Sequence, residues 1–483
     1  MILSTPDLLK SRRALRSQSS RVSRLFFAFT IDLSIENGLL MYYVFHQILV
    51  LPYAYYLKKD EDKGWFRKQF SMSGGHWIMI KFKNIFNMTI AIGISLGFSV
   101  MGNWINASHA QDNLPLGRTA SAIVNGQYPA SYFPNTELLG SDEMRITALG
   151  TGMPNQTRAA VSISYLVELG NGDKFLFDIG SGSMANLFSL RPDFSKLDKV
   201  FASHLHIDHV GDFMGLHIAG WLSGRYDPIH IYGPTGSTPE LGTKAFVEGM
   251  QKGYAWDLST RSGALPDLGA QIKVHEFDYK QENEIIYEEN GVTVRSWPAI
   301  HSLDGAVSFA LEWKGLKYVF GGDTYPNKWY MQYAKDADVA SHECFLPPKA
   351  LATYFGWDLN QATYVSTRIH TEPQAFGKVM ATIKPRLAVG YHSVQSPENS
   401  AAITDGVRKV YDGPLSLARD LMVINVTKET IKVRMAVVDD YVLPPNVTQD
   451  YKDAPRSDQK SPSEAILSGK WKGYTPPPMP KKK

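Results

Sequence analysis

With a single cysteine, Cys344, among 483 residues, the chain cannot close a disulfide within itself, so no covalent cross-link contributes to its stability. Standing between Glu343 and Phe345 at the end of a strand-like run, Cys344 reads as a small buried residue and not as a nucleophile. Net charge is nearly absent too: 50 Lys and Arg against 47 Asp and Glu leave +3. Even that excess is local. Residues 1–110 hold 13 Lys and Arg against 6 Asp and Glu, which leaves 37 against 41 in the remainder, a net charge near −4. A body this mildly acidic offers no basic face or stripe to recruit a phosphate backbone, which argues against nucleic acid as a partner. No internal repeat stands out.

Clean apolar runs of membrane-spanning length are missing as well. GLLMYYVFHQILVLPYAYYL, residues 38–57, has the length but is interrupted by His46, Gln47 and Pro52. The stretch MIKFKNIFNMTIAIGISLGFSVMGNWINASHAQD, from Met79, begins with lysines, continues through a short apolar segment broken by Gly97 and Gly102, and places small Ser108 and Ala110 before Gln111. That order reads as a secretory signal peptide over residues 79–110, cleaved after Ala110. The expected start is then Met72 or Met79, with residues 1–78 a non-native or disordered extension. The mature chain is expected to be periplasmic or secreted, with no stable membrane anchor.

What the chain does have is imidazole in an unusual place. SHLHIDHVGD, Ser203–Asp212, follows the apolar run KVFA and sets His204, His206, Asp208 and His209 in the pattern H-x-H-x-D-H. With 13 histidines in the chain, that pattern arises by chance in roughly one such sequence in two thousand. Neutral imidazole nitrogens and carboxylate oxygens suit Zn²⁺, and a catalytic zinc keeps a position open for water. In an extended loop His204 and His206 point the same way, whereas Asp208 and His209 turn toward a second point. Two metals need more ligands and a carboxylate between them. Three further strand-like runs end in candidates: VTVRSWPAIHS in His301, LKYVFGGDT in Asp323 and RLAVGYHS in His392. Loops after buried strands are where a rigid scaffold presents ligands.

These motifs, with ITALGTGMP, FLFDIGSG, IYGPTGST, SHECF and RIHTEP, span about residues 145–395 in an order that resembles the metallo-β-lactamase superfamily and, within it, ribonuclease Z. The resemblance implies that His204, His206 and His301 hold one zinc, that Asp208, His209 and His392 hold the other, and that Asp323 bridges them. Manganese and iron stay open for the same ligands. It also implies that Asp178 lies beneath the histidine loop and orients it. His370, supported by Glu343, is implied to protonate the leaving oxygen, a task that suits an imidazole whose proton a neighbouring carboxylate would favour. Water between two such ions is acidic enough to attack, the pair orients an in-line displacement, and Asp208 could accept a proton.

The fold implied is α/β, a four-layer αββα sandwich over residues 145–440. The pattern of the chain suits it. VSISYLVEL and DKFLFDIG flank Gly170, Asn171 and Gly172 as a hairpin; AVSFALEW and LKYVFGGD flank Lys314-Gly315 as another. DFMGLHIAGWL, TPELGTKAFVEGM and EPQAFGKVMATIK read as helices, and IHIYGP as a strand. His217 falls on the first helix as a structural residue. Residues 111–144 read as a loop-like linker, DLMVINVTKETIKVRMAVVDD as two closing strands, and residues 441–483 as an extended Pro- and Lys-rich tail. The stretch from Gly224 to Asn290, with AWDLSTRSGALPD, exceeds a bare connection and is expected to shape the pocket.

Two departures from ribonuclease Z bear on function. Its cytoplasmic members carry a long arm that clasps tRNA between the ligands equivalent to His301 and Asp323, where this chain has only a plain hairpin. After His392 the family's S-x-R-Y gives way to Ser393, Val394, Gln395 and Ser396, leaving no arginine there to contact phosphate. The expectation is therefore a secreted dizinc hydrolase with a ribonuclease Z-like site, acting on a small-molecule ester: a phosphate or sulfate ester, as in arylsulfatase-like relatives, or a phosphodiester. The alternatives are a tRNA 3′-end endoribonuclease and, from another class, a binding protein on the same scaffold that has lost catalysis. A homodimer is left open.

Overall fold

The computed structural model describes residues 57–60, 65–68, 128–393, 396–439, 441 and 452–479. The chain divides into two units, Met1–Leu96 and Gly97–Lys483. Among the described residues, the first holds one antiparallel hairpin, Leu57–Asp60 with Trp65–Lys68. The signal-peptide stretch, residues 79–110, lies outside the described residues.

The second unit is built on two mixed sheets. One runs in the order Ser131–Tyr132, Ile431–Ala436, Met422–Val426, Met144–Gly150, Ser164–Leu169, Lys174–Phe177, Lys199–Phe201, Ile229–Pro234 and Ile272–Phe277. The other runs Glu284–Glu289, Val292–Pro298, Val307–Trp313, Leu316–Phe320, Val339–Glu343, Leu387–Tyr391 and Leu415–Leu417. Their central strands are buried on both faces, so side chains of alternating direction enter two different layers. In Val307–Trp313, Val307, Phe309 and Leu311 enter the layer between the sheets while Ala310 faces the outer helices. Phe177 meets Phe309 and Phe320 across that layer at centroid distances of 5.8 Å. Such ring pairs add roughly 0.5–1.5 kcal/mol each beyond burial.

Helices cover both outer faces, Ser183–Ser189 and Phe213–Leu222 on the first sheet, Pro373–Ile383 and Pro397–Arg408 on the second. The result is the four-layer αββα sandwich of the metallo-β-lactamase fold. The Lys314-Gly315 turn takes φ of 47° and 74°, the mirror-image turn that a two-residue hairpin favours.

Three segments differ from their sequence pattern. Residues 128–143, read as a linker, contribute Ser131–Tyr132 in parallel register with Met435–Ala436. Arg434 forks onto Glu137, with Nη1 donating to Oε1 at 2.6 Å and Nη2 to Oε2, and Arg145 donates to the Tyr132 hydroxyl at 2.9 Å. Polar anchors hold this strand, so it carries no apolar periodicity to reveal it. Within residues 224–290, the excess length forms the edge strands Ile272–Phe277 and Glu284–Glu289, one on each sheet. Their alternation is masked by the charged residues that protect sheet edges. In the tail, the described residues 452–479 are largely exposed, but the Asp267 amide donates to the Pro455 carbonyl at 3.0 Å and Ser457 to the Asp267 carboxylate at 3.1 Å.

Candidate metal centre

The sequence-predicted site residues meet at one end of the sandwich, most of them just after a strand ends. Asp178 follows Lys174–Phe177, the histidine loop follows Lys199–Phe201, and His301, Asp323 and His392 follow Val292–Pro298, Leu316–Phe320 and Leu387–Tyr391. Glu343 closes Val339–Glu343, and His370 ends the π-helical turn Val365–Ile369. Asp178 and His392 hold left-handed φ of 57° and 64°, backbone strain of the kind that collects at functional sites.

Asp178 sits beneath the histidine loop. Its Oδ1 accepts from the Ser203 amide at 2.7 Å, and its Oδ2 accepts from Ser203 Oγ at 2.7 Å and from His209 Nδ1 at 2.6 Å. His209 Nε2 is thereby aimed at the centre. His206 caps the one-turn helix Ile207–Val210, whose first turn carries Asp208. The His392 amide donates to the Thr151 carbonyl at 2.9 Å, and the Tyr325 amide to the Ile300 carbonyl at 2.7 Å, which ties the His301 and Asp323 loops together.

The donor atoms fall into two adjoining sets. His204 Nε2, His206 Nδ1 and His301 Nε2 converge, with His206 Nδ1 3.0 Å from His204 Nε2 and 3.2 Å from His301 Nε2. In the second set, His392 Nε2 lies 3.1 Å from both Asp208 Oδ2 and Asp323 Oδ2, and His209 Nε2 lies 3.3 Å from Asp323 Oδ1. Within each set the atoms lie within 4.8 Å of one another. Asp208 Oδ1, His209 Nε2 and Asp323 Oδ1 are buried without a hydrogen-bond partner among the described residues. Orphaned polar atoms of this kind call for an explanation, and nitrogen and carboxylate donors turned toward common points fit a divalent metal.

Electrostatics prepare the same donors. Burial, reinforced by neighbouring imidazoles, holds His204 well below its ordinary value and takes His301 down to about 3, so both present neutral, metal-binding nitrogens. Burial opposes ionisation of Asp323, but His392, His209 and His301 outweigh it and hold the carboxyl well below its usual range.

Beside these sets, His370 Nδ1 lies 2.6 Å from Glu343 Oε2, while Glu343 Oε1 accepts from the Thr324 amide at 2.7 Å. Burial works against the expected preference for protonated imidazole. Burial lowers His370, and burial followed by the Asp323 charge raises Glu343 well above its usual range. Burial thus disfavours the charged form of each partner.

His217 stands apart. Its Nδ1 accepts from Arg225 Nη2 at 3.1 Å, burial pushes it down to about 3, and it is a core residue that does not line the cavity. AWDLSTRSGALPD is likewise absent from the walls of the cavity at His370, but Pro234 and Leu241 of the stretch Gly224–Asn290 line a second cavity with His204, His206 and His301. The residues that sequence reasoning missed are Phe345, Phe355, Trp357 and Val365, which line the cavity beside His370.

The close fit of the histidine loop depends on Gly180. A Cβ there would lie 2.0 Å from the Asp208 carbonyl oxygen. Gly180→Ala is expected to push the loop off its seat and weaken metal affinity by roughly 10- to 100-fold, as supporting-shell changes do. Competition with a chromophoric chelator measures this; unchanged affinity would contradict it.

Ribonuclease Z of Mycobacterium bovis (strain BCG / Pasteur 1173P2) is 30% identical over 205 residues, covering 41% of this chain and 69% of the relative. The chain belongs to the ribonuclease Z-like branch of the metallo-β-lactamase superfamily. The Mycobacterium marinum ribonuclease Z (strain ATCC BAA-535 / M) is 30% identical over 189 residues, 38% of this chain, and the match spans 64% of that relative's length. Ribonuclease BN of Proteus mirabilis (strain HI4320) is 28% identical over 235 residues, covering 41% of this chain and 76% of the relative. A family described as anti-Pycsar protein Apyc1 matches residues 144–356. The crystal structure of human tRNase Z, short form, aligns with a TM-score of 0.42 and 19% identity over 58% of this chain and 98% of that one.

Proposed function

We propose that the chain is a secreted or periplasmic, two-metal hydrolase of small-molecule esters, cleaving phosphate or sulfate esters or phosphodiesters. The observation that carries this reading is the convergence of seven metal-type side chains beside the hydrogen-bonded His370–Glu343 pair. His204, His206 and His301 would hold one ion, Asp208, His209 and His392 the other, and Asp323 would lie between them. Zn²⁺ suits this nitrogen and oxygen set, and when bound two such ions supply Lewis acidity and acidify water.

The protein's own groups then manage protons. Asp208 is positioned to accept one from attacking water. His370 Nδ1 faces Glu343, which orients the ring, so Nε2 is the ring nitrogen left to donate a proton to the departing oxygen. Delivery across the inner membrane is proposed from the residue 79–110 leader.

The name of the curated relatives favours a second reading, tRNA 3′-end processing. Against it stands the connection between His301 and Asp323, which is the hairpin Val307–Trp313 and Leu316–Phe320 and leaves no arm to clasp tRNA. Purified protein is expected to hydrolyse a small aryl phosphodiester at least about a hundredfold more efficiently, by kcat/KM, than it cleaves precursor tRNA. That margin is about 2.7 kcal/mol of transition-state discrimination. Efficient 3′ cleavage of precursor tRNA would establish the second reading instead.

A further inference from the structure

The cavity of about 280 Å³ over the metal centre does not reach His204; it extends from His206 and His301 past Asp323 to His370. Beyond His370 its wall is made of rings. Phe345 lies flat on the His370 imidazole, centroids 4.1 Å apart at 10°, and Phe355 stacks on Trp357 at 4.8 Å and 23°. Val365 begins the π-helical turn that ends at His370. Single π-helical turns of this kind recur at functional sites. The wall and the proton donor therefore belong to one excursion of chain, residues 344–370, that leaves the sheet at Glu343 and returns at its partner. At the rim, Ile207 is 66% exposed, a large apolar side chain left in water beside the centre. Among the described residues that line the cavity there is no lysine or arginine; its charged groups are the metal-type carboxylates and imidazoles themselves.

Resting on the hydrolase reading above, we propose that the substrate is an ester whose leaving group is an uncharged apolar ring or branched chain, held by Phe355, Trp357 and Val365. The group that receives a proton from His370 must lie within hydrogen-bond reach of it, and the chain around His370 contributes Phe345, Phe355, Trp357 and Val365, all apolar, to the same cavity. In the reaction, water adds its oxygen to the electrophilic centre and loses a proton to Asp208. The bond to the leaving oxygen breaks, its electron pair stays on that oxygen, and the proton from His370 completes a neutral phenol or alcohol. A polyanionic leaving group such as a nucleotide chain would meet no countercharge there, and its burial against rings would cost desolvation without return.

The test uses methyl 2-naphthyl phosphate and methyl phenyl phosphate, whose leaving groups are of similar acidity, and methyl 4-carboxyphenyl phosphate, whose leaving group is charged. Wild-type protein is expected to prefer naphthyl over phenyl by about tenfold or more in kcat/KM, the selectivity of a hydrophobic pocket, and to turn over the carboxyphenyl ester least. Trp357→Ala and Phe355→Ala should bring the naphthyl-to-phenyl ratio to within about twofold of unity, while Trp357→Phe keeps most of the preference. Calorimetric titration of 2-naphthol into metal-free protein provides a readout without turnover, with binding expected in the wild type and lost in Trp357→Ala. Equal kcat/KM for naphthyl and phenyl esters, a preference that survives both alanine variants, or naphthol that binds Trp357→Ala as it binds the wild type would each overturn the proposal. Failure to hydrolyse any of the esters would overturn the hydrolase reading on which it rests, and naphthol binding would still decide whether the wall is a site.

Discussion

Asp323→Ala is expected to lower kcat/KM by at least about a thousandfold, about 4 kcal/mol of transition-state stabilisation. Asp323 is the side chain that touches both donor sets: its Oδ2 lies 3.1 Å from His392 Nε2 and 3.8 Å from His301 Nε2, and its Oδ1 lies 3.3 Å from His209 Nε2. Alanine removes both oxygens at once and leaves imidazoles whose neutral and charged states the carboxylate had been setting. The loss should be accompanied by a fall in bound metal of about one ion per chain, read by elemental mass spectrometry on gel-filtered protein. Asp323→Asn, which keeps the shape and removes the charge, should fall between wild type and alanine in metal content. Turnover within tenfold of the wild type in Asp323→Ala would contradict a bridging role.

The second large effect should be selective. His370→Ala is expected to slow esters with poor leaving groups by roughly 10²- to 10⁴-fold, the range for general acid catalysis, while nitrophenyl esters, which depart without a proton, lose far less. The reason is local. Glu343 Oε2 lies 2.6 Å from His370 Nδ1 and its Oε1 is occupied by the Thr324 amide, so the ring is held with Nε2 as the nitrogen free to donate. Glu343→Gln should reproduce the same selectivity with a smaller loss, because the amide still positions the ring. Equal losses on both classes of ester would assign His370 to structure or binding.

The metal-type residues were legible in the sequence because each stands at the end of an apolar strand, where short-range pattern and chemistry coincide. Asp178 was legible only through the family resemblance, since D-I-G-S-G alone reads as an ordinary strand-end turn, and the structure adds what the turn is for: a left-handed φ that lets one carboxylate hold Ser203 and aim His209. The cavity wall was not legible. Phe345, Phe355 and Trp357 look like core residues in any one-dimensional reading, and only the excursion between Glu343 and His370 turns them toward the centre. The strand at Ser131–Tyr132 was hidden for the opposite reason, since a buried ion pair, Arg434 with Glu137, and the Arg145–Tyr132 hydrogen bond, not apolar periodicity, fix it. The segment from Gly224 to Asn290 was recognised as excess chain, but its edge strands carry Lys273, Glu276 and Glu284, and such charges conceal the period of two.

Anomalous diffraction at the zinc absorption edge, on crystals of the zinc-loaded protein, tests the central claim most directly. Two peaks about 3.5–4 Å apart are predicted, the spacing of two-metal hydrolase sites. One should be held by His204, His206 and His301, the other by Asp208, His209 and His392, with the Asp323 carboxylate between them. A single peak, or peaks ligated by other side chains, would contradict the two-metal account.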